Sequence, residues 1–280
     1  MNNLLLLQSD FGLVDGAVAA MQGVCKLVDR DIEVYNLTHD IPPFNIWEGS
    51  YRLFQTLKFW PVGTTFVSVV DPGVGSSRQS VVCKTKCGSY IVSPNNGTLT
   101  HINDFIGIEE IRVIDETKHR LSGSDESHTF HGRDVYAYTG AKLASGKISF
   151  EQVGEKIDLK DIVLIKTENV IIEDGFASGA IDVLDNRFGS LWTNITKKQF
   201  DTAGFKYGDK IHMTITNGER IVFQNIIRYE ISFSNVAIGE TLAYINSLVM
   251  VGIAINQGNF ADAYRVGTGA DWKIELKKIL

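Results

Sequence analysis

The chain has 280 residues, of which 44% are hydrophobic and 21% charged, a composition typical of globular proteins with one large or two ordinary domains. Its formal net charge of −6 argues against non-specific binding to nucleic acid. The four leucines of "MNNLLLLQSD" are too few for a membrane span or a signal peptide, and three cysteines, an odd number, favour reduced thiols in a cytoplasmic protein.

The first part of the chain alternates strand and helix patterns. Apolar runs predict strands at "LLLLQ", "IEVYNL" and "TTFVSVV", and helical spacing predicts helices at "DGAVAAMQGVCKLV" and "WEGSYRLFQTLKFW". A strand pair follows at "SVVCKT" and "SYIVS", then a short helix after "PNNG", a strand at "IEEIRVI" and a helix at "GRDVYAYTGAKLASG". Such alternation predicts an α/β domain over residues 1–165, with a mainly parallel sheet covered by helices.

The pattern changes near residue 170. Short alternating runs are separated there by Gly, Asn and Asp, and "TNGE" is a hairpin signal because Asn-Gly suits positive φ. We therefore predict a smaller antiparallel β-barrel domain over residues 166–280, joined through the charged segment "KIDLKDIVLIKTEN".

Polar groups follow three successive strands of the predicted sheet, in "QSDFG", "THD" and "DPGVGSSR". Ligands of parallel sheets bind outside the carboxyl ends of the strands. The last stretch lacks the Lys and Ser/Thr of a phosphate loop, and Arg78 stands where a dinucleotide fingerprint needs its third glycine. It holds Asp71 and Arg78, and is either part of an active site or a surface turn with an ion pair.

The stretch "SHTFHGRD" places His128, His131 and Asp134 just before a predicted helix. These residue types ligate metals, but the zincin spacing is missing, so we predict no metal site. A histidine at the beginning of a helix more naturally handles a proton or bonds a carboxylate. Because the sequence has no "GxSxG" nucleophile elbow, Asp71, Arg78 and His131 would, if they meet, position and activate a water.

Five motifs carry a family resemblance: "SDFG", "DPGVG" followed by an arginine, "PNNG", "TFHGRD" and "FGSLWTN", in this order. The sequence resembles the S-adenosyl-L-methionine (SAM) hydrolases that form adenosine, also called SAM hydroxide adenosyltransferases, which are relatives of the fluorinases and chlorinases. The resemblance spans nearly the whole chain. It implies an N-terminal α/β domain, a C-terminal β-barrel and a homotrimer with active sites between subunits.

The resemblance also implies a reaction, which needs no cofactor. In the family an Asp, an Arg and a His activate a water that attacks the 5′ carbon of SAM's ribose and expels methionine, and the matching positions are Asp71, Arg78 and His131. This chemistry is physically reasonable, because a sulfonium leaves as a neutral thioether and needs no general acid. Holding the water in line behind the carbon can supply much of the acceleration.

Further positions match substrate contacts of the family. Asp10 would accept from the ribose hydroxyls, or else form a turn before Gly12; Asp15 would lie near the methionine amine, or else cap a helix. Phe44 would pack against the substrate, or else at an interface. The substrate-binding positions implied by the resemblance are Asp10, Phe11, Asp15, Phe44, Asp185, Phe188, Ser190, Ser247, Asn256 and Gln257.

In the C-terminal part, the resemblance assigns methionine-side and adenine-side contacts to Asp185 and Phe188, the carboxylate to Ser247, and the adenine edge to Asn256 and Gln257. The chain also departs from the family pattern. Ser190 stands where relatives have Asn, and Leu248 stands where some have an arginine that could clamp a carboxylate. These departures affect the substrate contacts and leave the water-activating residues unchanged.

Two other functions are compatible with the same scaffold. A halide-using SAM transferase would form 5′-haloadenosine, but Asp71 stands where those relatives carry Tyr, and a carboxylate would repel a halide. A non-catalytic protein that binds SAM or a nucleoside would use the same pocket without turnover.

Overall fold

The computed structural model describes residues 3–269 and 271–279. The chain divides into two compact units, with the boundary between Ile165 and Lys166. The first has a sheet with parallel strands and covering helices, and the second is a β-barrel, so the predicted fold class is confirmed. No helix of the described residues is long and apolar enough to cross a bilayer.

The first unit is built on a seven-stranded sheet in the order β2-β1-β3-β5-β4-β6-β7. Strands β2, β1, β3 and β5 run parallel to one another, whereas β4, β6 and β7 are added antiparallel. The strands are β1 Leu4–Ser9, β2 Glu33–Thr38, β3 Thr65–Val69, β4 Ser80–Thr85, β5 Tyr90–Pro94, β6 Ile108–Val113 and β7 Lys156–Ile157. All five residues of β3 are buried, as expected for a central parallel strand.

Helices pack on this sheet. They are α1 Ala17–Val28, α2 Ile46–Leu57, α3 Thr100–Phe105, α4 Glu116–His119 and α5 Tyr138–Ala144. The helix predicted at "GRDVYAYTGAKLASG" starts instead as a π-helical turn, Gly132–Ala137, and becomes α-helical only in α5. Gly140 lets α5 approach the sheet closely, because a Cβ there would lie 2.5 Å from Cγ2 of Val67 on β3.

The second unit is a closed seven-stranded barrel, β9-β10-β14-β13-β12-β11-β15 and back to β9, with β8 paired outside it on β9. Its strands are β8 Ile171–Glu173, β9 Phe176–Asp185, β10 Ser190–Thr196, β11 Lys210–Asn217, β12 Arg220–Tyr229, β13 Thr241–Ile245, β14 Met250–Ile255 and β15 Trp272–Lys278. The helices are α6 Lys197–Thr202 and α7 Phe260–Tyr264. Only β12–β13 is a parallel pair among these strands, and the hairpin predicted at "TNGE" joins β11 to β12 with Gly218 at φ +57°.

Candidate active site

The loop from β3 to β4 brings Asp71 and Arg78 together. Nε of Arg78 donates to Oδ1 of Asp71 at 2.8 Å, and its Nη2 donates to Oδ2 of the same carboxylate. The two side chains are only 11% and 5% exposed. The pair is therefore a shielded bidentate contact, which is stronger than a solvent-exposed ion pair of a surface turn.

His131 lies beside this pair, at the start of the π-helical turn. Its Nδ1 is 3.1 Å from Nη2 of Arg78, and its Nε2 is 3.0 Å from Nη2 of Arg120. The imidazole is thus held between two guanidinium groups. Arg78 thus contacts both Asp71, predicted from the same motif, and His131, predicted from a distant one.

Further polar side chains close the arrangement into a ring. Nη2 of Arg120 donates to Oε2 of Glu116 at 2.9 Å, the hydroxyl of Ser80 donates to Oε1 of Glu116 at 2.8 Å, and Nη1 of Arg78 donates to Ser80 at 3.1 Å. The hydroxyl of Tyr136 lies 3.3 Å from that of Ser80 and 3.4 Å from Oδ2 of Asp71. We call this set the polar ring; its members are Asp71, Arg78, Ser80, Glu116, Arg120, His131 and Tyr136.

The environment of His131 favours the neutral imidazole. Burial lowers its pKa, and the positive charges of Arg120 and Arg78 lower it further, against the opposing attraction of Glu116 and Asp71. The imidazole of His131 is therefore uncharged at neutral pH and carries one acceptor nitrogen and one N–H.

The surroundings also fix the charge states of Arg78, Glu116 and Tyr136. Burial alone would lower the pKa of Arg78, but the hydrogen bonds and charge of Asp71 raise it above the usual value. Burial alone would raise the pKa of Glu116, but hydrogen bonds from Ser80 and Arg120 lower it. Burial raises the pKa of Tyr136, so its hydroxyl keeps its proton. At neutral pH the polar ring accordingly holds a charged Arg78, an ionised Glu116 and a neutral phenol.

The polar ring can hold and polarise a small polar molecule. Four of the five N–H groups of Arg78 face Asp71, Ser80 or His131, which leaves one Nη1 N–H without a partner among the described residues. A water could donate one hydrogen to Asp71 and accept this N–H with one lone pair. These two bonds would fix the direction of its second lone pair. Such fixed donors cost no reorganisation when charge develops in a reaction.

Four members of the polar ring were not predicted from the sequence: Ser80, Glu116, Arg120 and Tyr136. The spacing of Glu116 and Arg120 is that of a helical i, i+4 pair, but the four-residue helix α4 that carries Glu116 is too short to give a periodic signal. Tyr136 follows His131 by five residues, and the π-helical turn, a feature frequent at functional sites, sets its position.

Asp10 and Phe44, both predicted to bind substrate, are joined by a hydrogen bond. The backbone N–H of Phe44 donates to Oδ2 of Asp10 at 2.8 Å. Phe44 adopts φ +68°, a left-handed conformation that is strained for a bulky residue, and its side chain is 71% exposed. Asp10 thus fixes a strained, exposed aromatic residue next to itself.

Phe11 and Asp15 have different surroundings. Phe11 packs edge-on against Phe130 with 5.7 Å between ring centroids, and a Cβ on Gly132, the residue after His131, would lie 3.2 Å from its ring. Oδ1 of Asp15 instead accepts from the backbone N–H of Ala17 at 2.9 Å, so this carboxylate serves the beginning of α1. Phe11 therefore lies next to the polar ring, and Asp15 is occupied at a helix end.

In the second unit the six predicted residues line one concavity of about 760 Å³: Asp185, Phe188, Ser190, Ser247, Asn256 and Gln257. Phe188 is 66% exposed and lies in the β9–β10 turn. The next residue must be glycine, because Gly189 has φ +65° and a Cβ there would lie 1.7 Å from Oδ1 of Asn259. The turn therefore leaves most of the Phe188 side chain exposed at the concavity.

Other residues of the concavity were not predicted. Trp192 and Tyr244 form part of its wall, and Nε1 of Trp192 donates to the Tyr244 hydroxyl at 3.0 Å. Nδ2 of Asn256 donates to the carbonyl of Val236 at 3.0 Å, and Gln257 has φ +55°. The polar side chains thus partly hold the wall together, while the aromatic ones supply the apolar surface typical of ligand pockets.

His128 and Asp134 do not join His131 in a cluster. Asp134 is fully buried and accepts from Nε of Arg133 at 2.6 Å. In the part of the chain that the structure describes, no group of three or more His, Cys, Asp or Glu side chains is arranged to hold a metal ion.

An α/β unit with a shielded polar ring and a barrel unit with a partly aromatic concavity define a protein that acts on a small molecule. Family models described as the SAM hydroxide adenosyltransferase N-terminal and C-terminal domains match residues 5–154 and 179–273. The chain belongs to the SAM hydroxide adenosyltransferase family.

Individual relatives agree with this assignment. A protein of Methanocaldococcus jannaschii named (R)-S-adenosyl-L-methionine hydrolase is 37% identical over 76% of this chain and 73% of its own length. A fluorinase of Actinopolyspora mzabensis is 26% identical over 97% of this chain and 96% of its own length. The crystal structure of an uncharacterized conserved protein from Thermotoga maritima matches with a TM-score of 0.88 and 30% identity, over 98% of this chain and all of that one.

Proposed function

We propose that this chain hydrolyses SAM to adenosine and L-methionine by in-line attack of a water on the ribose 5′ carbon, without a cofactor. The observation that carries the proposal is the shielded contact of Asp71, Arg78 and His131 in a chain of this family. The hydrolase names of the relatives support it, and they specify the (R) epimer at sulfur as the substrate. We extend that preference to this chain.

In the proposed reaction the oxygen of water forms a bond to the 5′ carbon while the carbon–sulfur bond breaks. The electron pair of that bond goes to sulfur, which leaves as the neutral thioether of methionine. The remaining Nη1 N–H of Arg78 and the carboxylate of Asp71 hold the water in line, and the released proton passes to the carboxylate. Orientation and electrostatic preorganisation supply the acceleration.

The other predicted residues bind the substrate in this proposal. One oxygen of Asp10 is engaged by Phe44, and the second accepts from the ribose hydroxyls. Phe11 and Phe44 add apolar contacts to the nucleoside, and Asp15 attracts the methionine amine by its charge.

In the concavity, Phe188 stacks on the adenine, Asp185 and Ser247 take the methionine end, and Ser190 borders the nucleoside. Because Nδ2 and the backbone N–H of Asn256 both donate within the unit, to the carbonyls of Val236 and Glu240, Asn256 reaches the adenine edge through Oδ1. Gln257 contributes its exposed side-chain amide.

Halide transfer is the second candidate, favoured by the fluorinase relatives. The polar ring disfavours halide transfer, because the carboxylate of Asp71 borders the position assigned to the nucleophile and would repel a halide anion. Hydrolysis and halide transfer yield different products from the same substrate and can be compared directly.

The test is chromatography of the full chain incubated separately with the (R) and (S) epimers of SAM, in chloride-free buffer and again with added halide. We expect adenosine and methionine in equal amounts, faster from the (R) epimer. Asp71→Asn should lower turnover by about 100-fold or more while SAM still binds. The matched control is Glu110→Gln, which removes another carboxylate paired with an arginine in the first unit and should leave turnover unchanged.

Two results would overturn the proposal. A 5′-haloadenosine formed at a rate that competes with hydrolysis would establish halide transfer. SAM that is bound but recovered unchanged would establish a binding protein. For the cofactor, we expect turnover to survive dialysis against EDTA; loss of turnover that a metal salt restores would contradict that part of the proposal.

We further propose a cytoplasmic homotrimer with active sites at subunit interfaces. Exposed apolar side chains near Asp10 and Asp15 support an interface there: Leu13 is 64%, Val14 fully and Phe44 71% exposed. Three free cysteines support a reducing compartment. Light scattering should give three times the 31.0 kDa mass of the chain, whereas a fully active monomer would exclude the trimer.

A further inference from the structure

His131 is contacted by a guanidinium group at each of its ring nitrogens. Arg78 lies at Nδ1 and Arg120 at Nε2, at 3.1 Å and 3.0 Å. His131 is 6% exposed, and the side chain of Arg120 is 11% exposed, so water screens these contacts poorly. The imidazole is therefore enclosed by two guanidinium groups.

This geometry restricts the protonation of the imidazole. A neutral ring accepts at one nitrogen and donates at the other, so only one of the two arginines can donate to it. A protonated imidazole would have an N–H at both nitrogens. Each N–H would then face a guanidinium N–H, which is a donor and cannot accept it. The charged groups around His131 are Asp71, Arg78, Glu116 and Arg120, and each carboxylate is itself paired with one of the arginines.

We propose that Arg120, anchored by Glu116, is a positioning residue that acts opposite Arg78 to keep His131 unprotonated and to fix the plane of its ring. The proton of the attacking water then leaves through Asp71, and the imidazole orients groups without storing that proton. This inference rests on the proposed hydrolysis and adds a role for two residues outside the predicted catalytic set.

The hydrogen bonding of the Arg120 guanidinium is incomplete, which supports a role beyond packing. Its Nη1 is buried and has no hydrogen-bond partner among the described residues. A buried donor without a partner costs stability, so local hydrogen bonding alone does not account for an arginine at this position. The lowered pKa of His131, caused first by burial and then by Arg120 and Arg78, agrees with this role.

The proton balance is satisfied without the imidazole. As the carbon–oxygen bond forms, the attacking oxygen becomes oxonium-like and far more acidic than a carboxylic acid. An ion-paired carboxylate can therefore accept its proton and later release it to solvent. Both electrons of the broken carbon–sulfur bond stay on sulfur, so no other reactant is needed.

The test is NMR titration of ¹⁵N-histidine in the full chain without substrate, with the His131 signals assigned by their loss in His131→Gln. We expect a wild-type pKa below 6.5, the ordinary value for histidine. Arg120→Met should raise it by roughly 1 unit, because a nearby like charge is removed. Glu116→Gln should lower it, because the attracting charge is lost while the amide oxygen still accepts from Arg120.

The kinetic readout uses the same variants with SAM. In Arg120→Met the acidic limb of the kcat profile should move to higher pH by the same amount as the pKa of His131, with KM changed less than threefold. Arg112→Met is the matched control, since Arg112 is another ion-paired arginine of the first unit that does not contact His131. It should leave both the pKa and the acidic limb unchanged.

A wild-type His131 pKa at or above 6.5 would overturn the inference without any variant, and so would an unchanged pKa in Arg120→Met. The titration needs no turnover. If the chain does not hydrolyse SAM, the NMR measurement still shows whether Arg120 controls the ring, which separates failure of this inference from failure of the proposed function.

Discussion

The polar ring of the first unit and the concavity of the second are built in opposite ways. In the polar ring, charged and polar side chains contact one another and hold each other in place. In the concavity, aromatic side chains supply surface, and polar groups such as the amide of Asn256 are used to hold the wall. We therefore expect substitutions in the polar ring to change the reaction rate, and substitutions in the concavity to change substrate binding.

Arg78→Ala should have the largest effect on turnover. It removes the donors to Asp71 and Ser80 and the contact to His131. Loss of one preorganised donor typically lowers turnover by 10²–10³-fold, so we expect a fall of about 10³-fold in single-turnover adenosine formation. The equilibrium dissociation constant of SAM should change less than tenfold. A variant that turns over normally would remove the proposed role, and Arg112→Ala serves as the control.

Phe188→Ala tests the concavity. Stacking of a base on an aromatic side chain contributes about 1–3 kcal/mol, so KM should rise by about 20-fold while kcat changes less than threefold. Steady-state kinetics separate the two effects. Ile226→Ala, which truncates an exposed side chain elsewhere on the barrel, should change neither. A fall in kcat with constant KM would contradict the assignment of binding to this unit.

Tyr136→Phe tests the contribution of a single hydroxyl group of the polar ring. The variant loses the hydroxyl near Ser80 and Asp71 but keeps the aromatic face that lies 5.5 Å from the guanidinium carbon of Arg78. We expect kcat to fall about fivefold, equivalent to roughly 1 kcal/mol for one hydrogen bond. If kcat is unchanged, the hydroxyl takes no part in positioning Asp71.

The smallest effect concerns stability and pH. The folded protein lowers the pKa of Glu116, so the stabilisation by this carboxylate is present above the unfolded-state pKa and is lost as the pH falls through the folded-state pKa. Glu116→Gln should therefore reduce the free energy of unfolding at pH 7, and the difference should shrink below about pH 4. Urea denaturation at several pH values measures this; a difference that grows in acid would contradict it.

The fold could be predicted because it depends on local sequence patterns. Strand and helix periods, and the Asn-Gly turn at Gly218, predicted both units. Asp71 and Arg78 were predicted because a single loop carries both. Four of the seven members of the polar ring were not predicted: Arg120, for example, contacts His131 only in the folded chain, and Glu116 is linked to His131 through Arg120. The π-helical turn that contains Tyr136 has a register that no α-helical periodicity indicates.

The polar ring also has a simple charge balance. Its two carboxylates and two guanidinium groups cancel formally, and His131 adds nothing while it is neutral. Such a compact, balanced set projects little field beyond its own diameter. Long-range attraction of a cationic sulfonium compound must then come from the rest of the acidic chain, whose net charge is −6. Higher ionic strength should consequently lower the association rate of the substrate and leave kcat nearly unchanged. Adenosine is neutral, so electrostatic attraction does not slow its release.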